Sequence, residues 1–191
     1  MIEIDLEALH DPLMAVQKLL SRFDNQGLVI GGIAVSLLGS PRFTADVDLV
    51  LLLSVSRLPD LIAVAAELGL APRIPDAESF ARRHRVLLLQ HSASQVNVDI
   101  SLGLLPFEQE AVARGTLFAV GGLELRLPTV EDLIILKAVA HRPKDLLDIQ
   151  MLVETNPKLD LQRIELWVRA FGEVLESPQL WEDLAPLLGS G

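Results

Sequence analysis

One stretch of the chain, residues 42–53, places two acidic residues at the start of an otherwise apolar strand pattern. The run from Leu49 to Leu53 is continuously apolar, which is typical of a strand that is covered on both faces. Side chains two residues apart on a strand point to the same side, so Asp46 and Asp48 are predicted to project together. The alternative is a surface pair on an edge strand, but aspartate is disfavoured in strands. The pair therefore predicts half of an oxygen-ligand metal site.

A second predicted strand, residues 96–101, carries one more carboxylate. Val96, Val98 and Ile100 alternate with polar residues, so Asp99 is expected on the face opposite to these apolar side chains. Taken alone, Asp99 fits an exposed strand position equally well. Beside the Asp46 and Asp48 pair, the favoured interpretation is a third ligand, provided that the two strands are neighbours.

Two adjacent glycines, Gly31 and Gly32, follow a short apolar strand at 27–30 and precede a predicted helix at 33–38. Backbone N–H groups at a helix N-terminus bind phosphate, and glycine lets the phosphate approach closely. A simple turn is the alternative. The pair gains weight because the Asp46 and Asp48 strand is the next one along the chain.

Composition narrows the chemistry. The absence of cysteine excludes disulfides, zinc–thiolate sites and cysteine nucleophiles, and there are only four histidines. Any metal must therefore be held by oxygen ligands, which favours Mg²⁺ or Mn²⁺ over zinc. The net charge of −10 argues against a whole-surface grip on nucleic acid, although a local basic patch is still compatible with one.

The pattern of elements predicts an α+β protein, with strands and helices mixed up to residue 127 and helices alone afterwards. We expect residues 1–127 to form the core and residues 128–191 to form a C-terminal helical segment that packs against it. No apolar run reaches the roughly 18–20 residues of a membrane span. The acidic N-terminus lacks the layout of a signal peptide, so a cytoplasmic location is expected. The remaining elements are predicted helices at 5–22, 57–69, 78–84, 106–114, 129–140, 143–154, 160–171 and 178–188, and predicted strands at 86–90, 116–120 and 123–127. Residues 91–94 predict a hairpin turn before the Asp99 strand, and Gly121-Gly122 predicts a two-residue hairpin. Thr129-Val130-Glu131-Asp132 is a capping box that opens the helix at 129–140.

The order of these motifs resembles a known superfamily. Gly31-Gly32, then Asp46-Val47-Asp48 on a strand, then Asp99 on a separate strand, is similar to the DNA polymerase β-type nucleotidyltransferases. The form Arg42-x-Thr44-x-Asp46-x-Asp48 resembles the AbiEii-like branch, whose members include toxins of type IV toxin–antitoxin systems. Lys137, followed by Arg142-Pro143-Lys144-Asp145-Leu146-Leu147-Asp148, is similar to that branch's C-terminal helices. The resemblance covers residues 27 to about 152.

The resemblance implies a polymerase β-like nucleotidyltransferase fold, with a mixed central sheet flanked by helices. It also implies two-metal transfer of a nucleotide from an NTP, with Mg²⁺ or Mn²⁺ as cofactor. Asp46, Asp48 and Asp99 would then be the catalytic and metal-binding residues, and Asp99 is also a candidate general base. The nucleotide-binding residues that it implies are Gly31, Gly32, Ser36, Arg42, Thr44 and Lys137.

Three further features of the sequence each allow a functional and a purely structural interpretation. Lys137 lies among apolar residues and could instead extend to solvent. Asp145 and Asp148 share a helical face and are candidate supporting residues of the site, but an ion pair between Lys144 and Asp148 explains part of the pattern. The basic cluster Arg82-Arg83-His84-Arg85 precedes a strand expected to pair with the Asp99 strand. It could contact RNA near the site or be a solvated helix end.

Three hypotheses about function follow. The first is a toxin that nucleotidylates tRNA or another macromolecule and that has a cognate antitoxin protein. The second is the same chemistry on a small molecule, as in aminoglycoside nucleotidyltransferases, for which an acidic surface suits a cationic acceptor. The third is a non-catalytic module that binds nucleotide or a partner, against which the complete set of aspartates argues. Trp167 and Trp181, in the tail, are predicted core residues.

Overall fold

The computed structural model describes residues 6–189. The first residue of the helix predicted at 5–22, and the start of the segment expected to lack a signal peptide, lie outside these residues. Along residues 6–189, no helix combines the length and the apolar character that a membrane crossing requires. The elements are α1 (Leu6–Arg22), β1 (Gly27–Ile30), α2 (Gly31–Leu38), β2 (Val47–Leu52), a 3-10 turn (Val55–Arg57), α3 (Leu58–Glu67), β3 (Leu70–Pro72), α4 (Ala77–His84), β4 (Val86–His91), β5 (Asn97–Gly103), α5 (Pro106–Arg114), β6 (Thr116–Val120), β7 (Leu123–Leu127), α6 (Val130–Ala140), α7 (Pro143–Thr155), α8 (Leu161–Val174) and α9 (Gln179–Leu188).

A mixed five-stranded sheet with the order β1-β2-β5-β4-β3 forms the centre of the fold. Strand β2 runs parallel to β5, and the other neighbouring pairs are antiparallel. The central position of β2 explains its apolar run, since Leu49, Val50 and Leu51 are all buried. The α+β fold class and the mixed sheet are confirmed, and the predicted neighbourhood of the two aspartate strands is present.

The strand predicted at 42–53 is shorter than expected. It begins at Val47, and residues 40–46 form no regular structure. Strand β1 ends opposite Asp48, and β5 pairs with β2 only from Val47 onward, so residues 42–46 extend beyond both neighbours. Asp46 therefore lies in the loop that enters the strand, whereas Asp48 lies within it.

Strand β3 was not expected from the sequence. It consists of three residues, Leu70–Pro72, that pair with β4 at the edge of the sheet. A strand of this length carries no alternating pattern, and its terminal proline indicates a loop. Proline is compatible with this position because an edge strand leaves one row of N–H groups unpaired.

The hairpin predicted at Gly121 and Gly122 is confirmed. It joins β6 and β7 into a separate two-stranded sheet. Both glycines have positive φ, 56° and 80°, as a tight two-residue turn between antiparallel strands requires. Strand β7 packs against α1 and β1, so the hairpin covers the edge of the main sheet next to β1.

The C-terminal helices pack on one another and reach α2, which contacts both α6 and α7. Helix α6 starts as the sequence predicts, with the Thr129 hydroxyl accepting a hydrogen bond from the Asp132 N–H at 3.2 Å. The Asp132 carboxylate is fully buried and pairs with Arg114 and Arg163, at 3.3 and 2.7 Å. The two tryptophans are half-buried against the core rather than fully inside it.

Candidate active site

The three predicted aspartates line one cleft, of about 290 Å³, at the N-terminal ends of β2 and β5. Asp48 lies directly opposite Asp99 in the parallel register. Asp46 precedes β2 and accepts a hydrogen bond from the Asn97 side chain at 3.1 Å. The cleft is lined almost entirely by polar atoms, and its residues are Gly32, Arg42, Phe43, Thr44, Ala45, Asp46, Asp48, Asp99, Lys137, Arg142 and Lys144.

The two strand aspartates are held in surroundings that oppose their ionisation. Burial raises the pKa of Asp48, and the nearby Asp46 carboxylate raises it further. Lys137, Arg142 and Lys144 act in the opposite sense without cancelling the shift. Burial also raises the pKa of Asp99, although the Arg73 guanidinium lowers it in part. Carboxylates crowded in this way gain stability from a cation placed among them.

The Gly31-Gly32 turn lies against this cluster. Gly31 has φ +66°, and a Cβ atom built there would overlap the Asp48 carboxylate. A Cβ atom on Gly32 would lie 2.5 Å from Thr44 Oγ1 and 3.1 Å from Arg42 Nη2. Both positions therefore require glycine, and the N-terminus of α2 lies next to the aspartates. The glycine pair does more than end a strand, because side chains there would fill the cleft.

Arg42, Thr44 and Ser36 fix the loop that carries Asp46. Arg42 binds Asp148 through Nη2 at 3.0 Å and Nε at 2.9 Å, and Thr44 donates to the Asp46 carbonyl oxygen at 3.3 Å. The buried Ser36 hydroxyl donates to the Arg42 carbonyl oxygen at 3.1 Å and accepts from the Arg42 N–H at 3.3 Å. Ser36 does not line the cleft, so its placement does not support the predicted phosphate contact. Its hydroxyl instead anchors the loop.

Lys137 is the centre of a buried charge network and does not extend to solvent. Its ammonium group lies 3.0 Å from Asp145 Oδ1 and 2.7 Å from Asp148 Oδ2. The side chains of these three residues are 5%, 0% and 4% exposed. Asp145 and Asp148 share a helical face, as predicted. However, Asp148 pairs with Lys137 and Arg42, so the suggested Lys144 ion pair is not formed.

Arg142 completes this network, and sequence reasoning assigned it no role. It binds Asp145 through Nε at 2.6 Å and Nη2 at 3.1 Å. Burial acts to raise the pKa of Asp145, but hydrogen bonds from Arg142 and Lys137 outweigh it and hold the pKa below its usual value. Asp145 is therefore a carboxylate anion between two cations, and α7 presents positive groups to the cleft.

Two further residues at the cleft were also missed. Phe43 has 68% of its surface exposed, although it is a large apolar residue. Arg73, in the loop after β3, contacts Asp99 through Nη2, 3.0 Å from each carboxylate oxygen. Nothing in the sequence links Arg73 to Asp99, because they are 26 residues apart in different elements. For Phe43, the available signal in the sequence was an aromatic residue inside the polar Arg42-x-Thr44 motif.

The basic cluster at 82–85 lies away from the aspartates. Arg82 donates to the Val55 carbonyl oxygen, beyond the C-terminal end of β2, and Arg85 donates to that of Leu102, near the end of β5. Strand β4 does pair with β5 as expected. The pairing is antiparallel, with Val86 opposite Ser101, and this carries the cluster toward the opposite end of the sheet.

The oxygen atoms of Asp46, Asp48 and Asp99 are suitable ligands for a divalent metal, and the pairing of β2 with β5 places Asp48 opposite Asp99. Carboxylate oxygens are the ligands that Mg²⁺ and Mn²⁺ prefer. Asp99 Oδ1 is buried and accepts no hydrogen bond, despite the nearby Arg73. Across residues 6–189, no three His, Asp or Glu side chains converge as in a formed metal site. Asp99 faces Arg73 and Asp46 faces Asn97 instead, so these side chains must rotate to bind a shared cation.

A hollow of similar volume, about 300 Å³, lies beside α4, and two clearly larger hollows lie elsewhere. One, of about 490 Å³, lies between α8 and α9 and is more apolar. The other, of about 460 Å³, lies at the C-terminal ends of β2 and β5. None of these three brings carboxylates together with a glycine turn, so the polar cleft with the three aspartates is the candidate active site.

Comparison with known proteins agrees with this geometry. The family model described as nucleotidyl transferase AbiEii toxin, type IV TA system, matches residues 16–187. No curated protein matches the sequence significantly.

Solved structures similar to this chain include the solution structure of the antibiotic-resistance factor ANT(2'')-Ia. Its TM-score is 0.54 at 17% identity, with 88% of this chain and 95% of that chain covered. A crystal structure of ANT(2'')-Ia in complex with adenylyl-2''-tobramycin gives the same TM-score and identity over 86% and 98%. An antigenic nucleotidyltransferase-like protein from Paracoccidioides brasiliensis has a TM-score of 0.54 at 16% identity, over 96% and 94%. At these identities, the likeness shows the fold alone.

Proposed function

The chain belongs to the AbiEii family of nucleotidyl transferase toxins of type IV toxin–antitoxin systems, and from this premise we propose that it transfers a nucleoside monophosphate from an NTP to a hydroxyl group of RNA. Nucleotidyl transfer itself follows from the family. We propose tRNA as the first acceptor to test and growth inhibition as the outcome. A cognate antitoxin protein is the corresponding partner.

The observation that carries the proposal is one polar cleft in which three carboxylates, a glycine turn and several cations meet. The acidic residues that line it are Asp46, Asp48 and Asp99, and the basic residues are Arg42, Lys137, Arg142 and Lys144. Phosphate transfer needs both signs of charge, because the protein must neutralise a triphosphate and also activate a hydroxyl nucleophile. A cleft with only acidic or only basic groups would supply one of these.

The carboxylates of Asp46, Asp48 and Asp99 are the groups that would hold Mg²⁺ or Mn²⁺. When bound, such a cation neutralises phosphate charge and makes a coordinated hydroxyl more acidic. The raised pKa of Asp48 and of Asp99, caused first by burial, supports this assignment, since repulsion and burial together disfavour an acidic cluster without a cation.

The triphosphate would lie on the α2 side of the aspartates. Gly31 and Gly32 leave space for phosphate oxygens beside the N-terminus of α2, where N–H groups are directed at anions. Arg42 and Lys137 would add positive charge. Asp145 and Asp148 are then positioning residues, because they hold Lys137 and the two arginines at fixed distances from the cleft.

The acceptor hydroxyl oxygen would attack the α-phosphorus, and the bond from this phosphorus to the bridging oxygen of pyrophosphate would break. Asp99 would accept the hydroxyl proton. Burial raises the pKa of Asp99, so its carboxylate is a stronger base than an exposed aspartate. The products are a nucleotidylated acceptor and pyrophosphate.

Phe43 is proposed as a platform for a nucleobase. Its side chain lines the cleft and is mostly exposed, which has no packing explanation. Stacking of a base on an aromatic ring contributes about 1–3 kcal/mol and tolerates any base.

The test is incubation of the purified protein with each of the four labelled NTPs, total RNA, and Mg²⁺ or Mn²⁺. We expect label in the RNA fraction, and none with Asp48→Asn. Absence of transfer with every NTP, in a protein shown to be folded, would overturn the proposal. Growth inhibition by the wild type but not by Asp48→Asn tests the toxin role separately.

A small-molecule acceptor is the second candidate, because one observation favours it. The net charge of −10 attracts cationic acceptors and repels RNA. If this candidate is correct, expression will raise resistance to a cationic antibiotic without slowing growth. Asp46→Ala will then abolish the resistance, and no label will enter RNA.

A further inference from the structure

The backbone of Arg73 is hydrogen-bonded to the central sheet, and this pairing holds its side chain near Asp99. The Arg73 N–H donates to the Leu88 carbonyl oxygen at 3.1 Å, and Leu88 lies opposite Asp99 in the β4–β5 pair. The guanidinium reaches across one strand, and its Nη2 lies 3.0 Å from both carboxylate oxygens of Asp99. The two side chains are 25% and 29% exposed.

This contact places a positive group beside the oxygen atoms that a metal ligand must offer: Asp99 Oδ2 accepts a hydrogen bond from Nη2, and Oδ1 accepts none but lies 3.0 Å from the same nitrogen. Of the three aspartates in the cleft, Asp99 faces an arginine, whereas Asp46 faces the neutral amide of Asn97. A divalent cation and a guanidinium cannot share one carboxylate at this distance without repulsion between them. Cation binding at Asp99 therefore requires Arg73 to move.

A purely structural role for the pair is poorly supported. Strand β3, directly before Arg73, is already paired with β4 through Leu70, Ala71 and Pro72. The Arg73 backbone continues this pairing through Leu88. A partly exposed ion pair adds little to stability. The backbone hydrogen bonds already tie residues 70–73 to β4, so the position of the guanidinium calls for a different explanation.

We propose that Arg73 is a displaceable counter-ion of Asp99. Its guanidinium holds the carboxylate while no cation is bound and leaves it when a divalent cation enters. This inference rests on the proposed function, in which Asp99 is a metal ligand. Arg73 is then a positioning residue that weakens cation binding in the absence of substrate. It also protects a half-buried carboxylate from being left without a counter-charge.

The experiment measures Mn²⁺ binding to the metal-free protein without nucleotide, by electron paramagnetic resonance of the free ion. Four proteins are compared: the wild type, Arg73→Gln, Asp99→Asn and the double variant. We expect Arg73→Gln to bind Mn²⁺ about fivefold more tightly than the wild type, which corresponds to removal of a competing pair of about 1 kcal/mol. In the Asp99→Asn background, the same substitution should change affinity less than about twofold.

Two controls separate this mechanism from other effects. Lys144→Gln removes a positive charge that lines the same cleft. We expect a smaller gain in Mn²⁺ affinity from Lys144→Gln than from Arg73→Gln, because Asp99 remains paired. Misfolding would weaken binding, which is opposite to the predicted direction, and circular dichroism checks it directly.

Each outcome bears on the inference. Equal Mn²⁺ affinity of the wild type and Arg73→Gln overturns it and leaves the proposed function intact. An equal gain in the Asp99→Asn background also overturns it, since the effect would then be one of net charge. If Arg73→Gln binds Mn²⁺ and the wild type does not, the inference is supported in its strongest form. If neither binds, both the inference and the metal dependence in the proposed function are wrong.

Discussion

Replacement of Lys137 by methionine should destabilise the protein, even though Lys137 lines the candidate active site. The ammonium group lies 3.0 Å from Asp145 and 2.7 Å from Asp148, and all three side chains are almost fully buried. Methionine has a similar length but no charge, so the two carboxylates lose the cation between them. Removing one partner of a buried ion pair costs about 3–5 kcal/mol.

We expect the lower end of this range, about 3 kcal/mol, for a structural reason. Asp145 keeps Arg142 as a partner, and Asp148 keeps Arg42. In a chain of this length, 1 kcal/mol corresponds to about 2–4 °C in melting temperature, so the expected decrease is about 6–12 °C. Lys158→Met removes the same charge from an exposed position and should change the melting temperature little.

The pH dependence gives a second readout of this prediction. Burial acts to raise the pKa of Asp145, but hydrogen bonds from Arg142 and Lys137 outweigh it and hold the pKa below its usual value. A lowered pKa adds stability that is complete above the unfolded pKa and is lost as the pH falls through the folded pKa. Loss of Lys137 should therefore matter most at pH 7 and less toward pH 3.

The assay is thermal and urea unfolding of the metal-free proteins, followed by circular dichroism between pH 3 and pH 8. A decrease in stability below about 1 kcal/mol would show that the network does not have the energy assigned to a buried pair. A decrease that stays constant across this pH range would show that lost packing, not lost charge, is responsible.

Three other predictions concern single residues of the cleft. Asp48→Asn should raise the melting temperature at pH 7, because burial and then the Asp46 carboxylate raise the pKa of Asp48 and penalise its charged form. This gain in melting temperature should vanish as the pH falls through the pKa of Asp48 in the folded protein toward its usual value of 3.8. Gly31→Ala should cost about 1–2 kcal/mol for its positive φ and also abolish transfer by displacing Asp48. Gly122 also has a positive φ but has open space around it, so Gly122→Ala should lower the stability by a similar amount and leave nucleotide transfer unchanged. Unfolding and label-transfer assays test both substitutions. Phe43→Ala should weaken NTP binding at least about fivefold in calorimetry with little change in stability, and unchanged binding would exclude stacking.

The sequence predicted most of the fold because its strongest local signals are also the elements that form. The apolar run after Asp48 became the central strand β2, and the Gly121-Gly122 turn became a hairpin with both residues at positive φ. Helix α6 begins at the Thr129 cap as expected. In each case, a short segment determines its own structure, and tertiary contacts agree with it.

Features that depend on pairing between distant segments were not predictable. Strand β3 has three residues and no pattern of its own, so only β4 shows that it is a strand. The start of β2 at Val47 is set by where β1 ends and β5 begins. The distance of the basic cluster at 82–85 from the aspartates is different, because it follows from the antiparallel direction of β4 that the turn predicted at residues 91–94 already implies.

The candidate site also contains residues that local motifs predict and contacts that only the fold reveals. Asp46, Asp48, Gly31 and Gly32 lie in motifs with recognisable spacing, and the structure brings them together. The Arg73 contact with Asp99 is visible only once the chain is folded. The Arg142 contact with Asp145 joins residues three apart at the start of a helix, so its spacing was readable in the sequence. For Ser36, the resemblance implied a phosphate contact, which stays a prediction; in the structure its hydroxyl binds the backbone of Arg42.

The most direct test of the proposal that these carboxylates carry nucleotide transfer is label transfer by Asp48→Asn under single-turnover conditions. The variant keeps the shape of the side chain and, by the prediction above, is at least as stable as the wild type. Loss of its charge should lower the rate at least about a hundredfold, as expected for removal of a group that stabilises the transition state electrostatically. A folded Asp48→Asn protein that transfers label within about tenfold of the wild-type rate would contradict the assignment of this cleft as the active site.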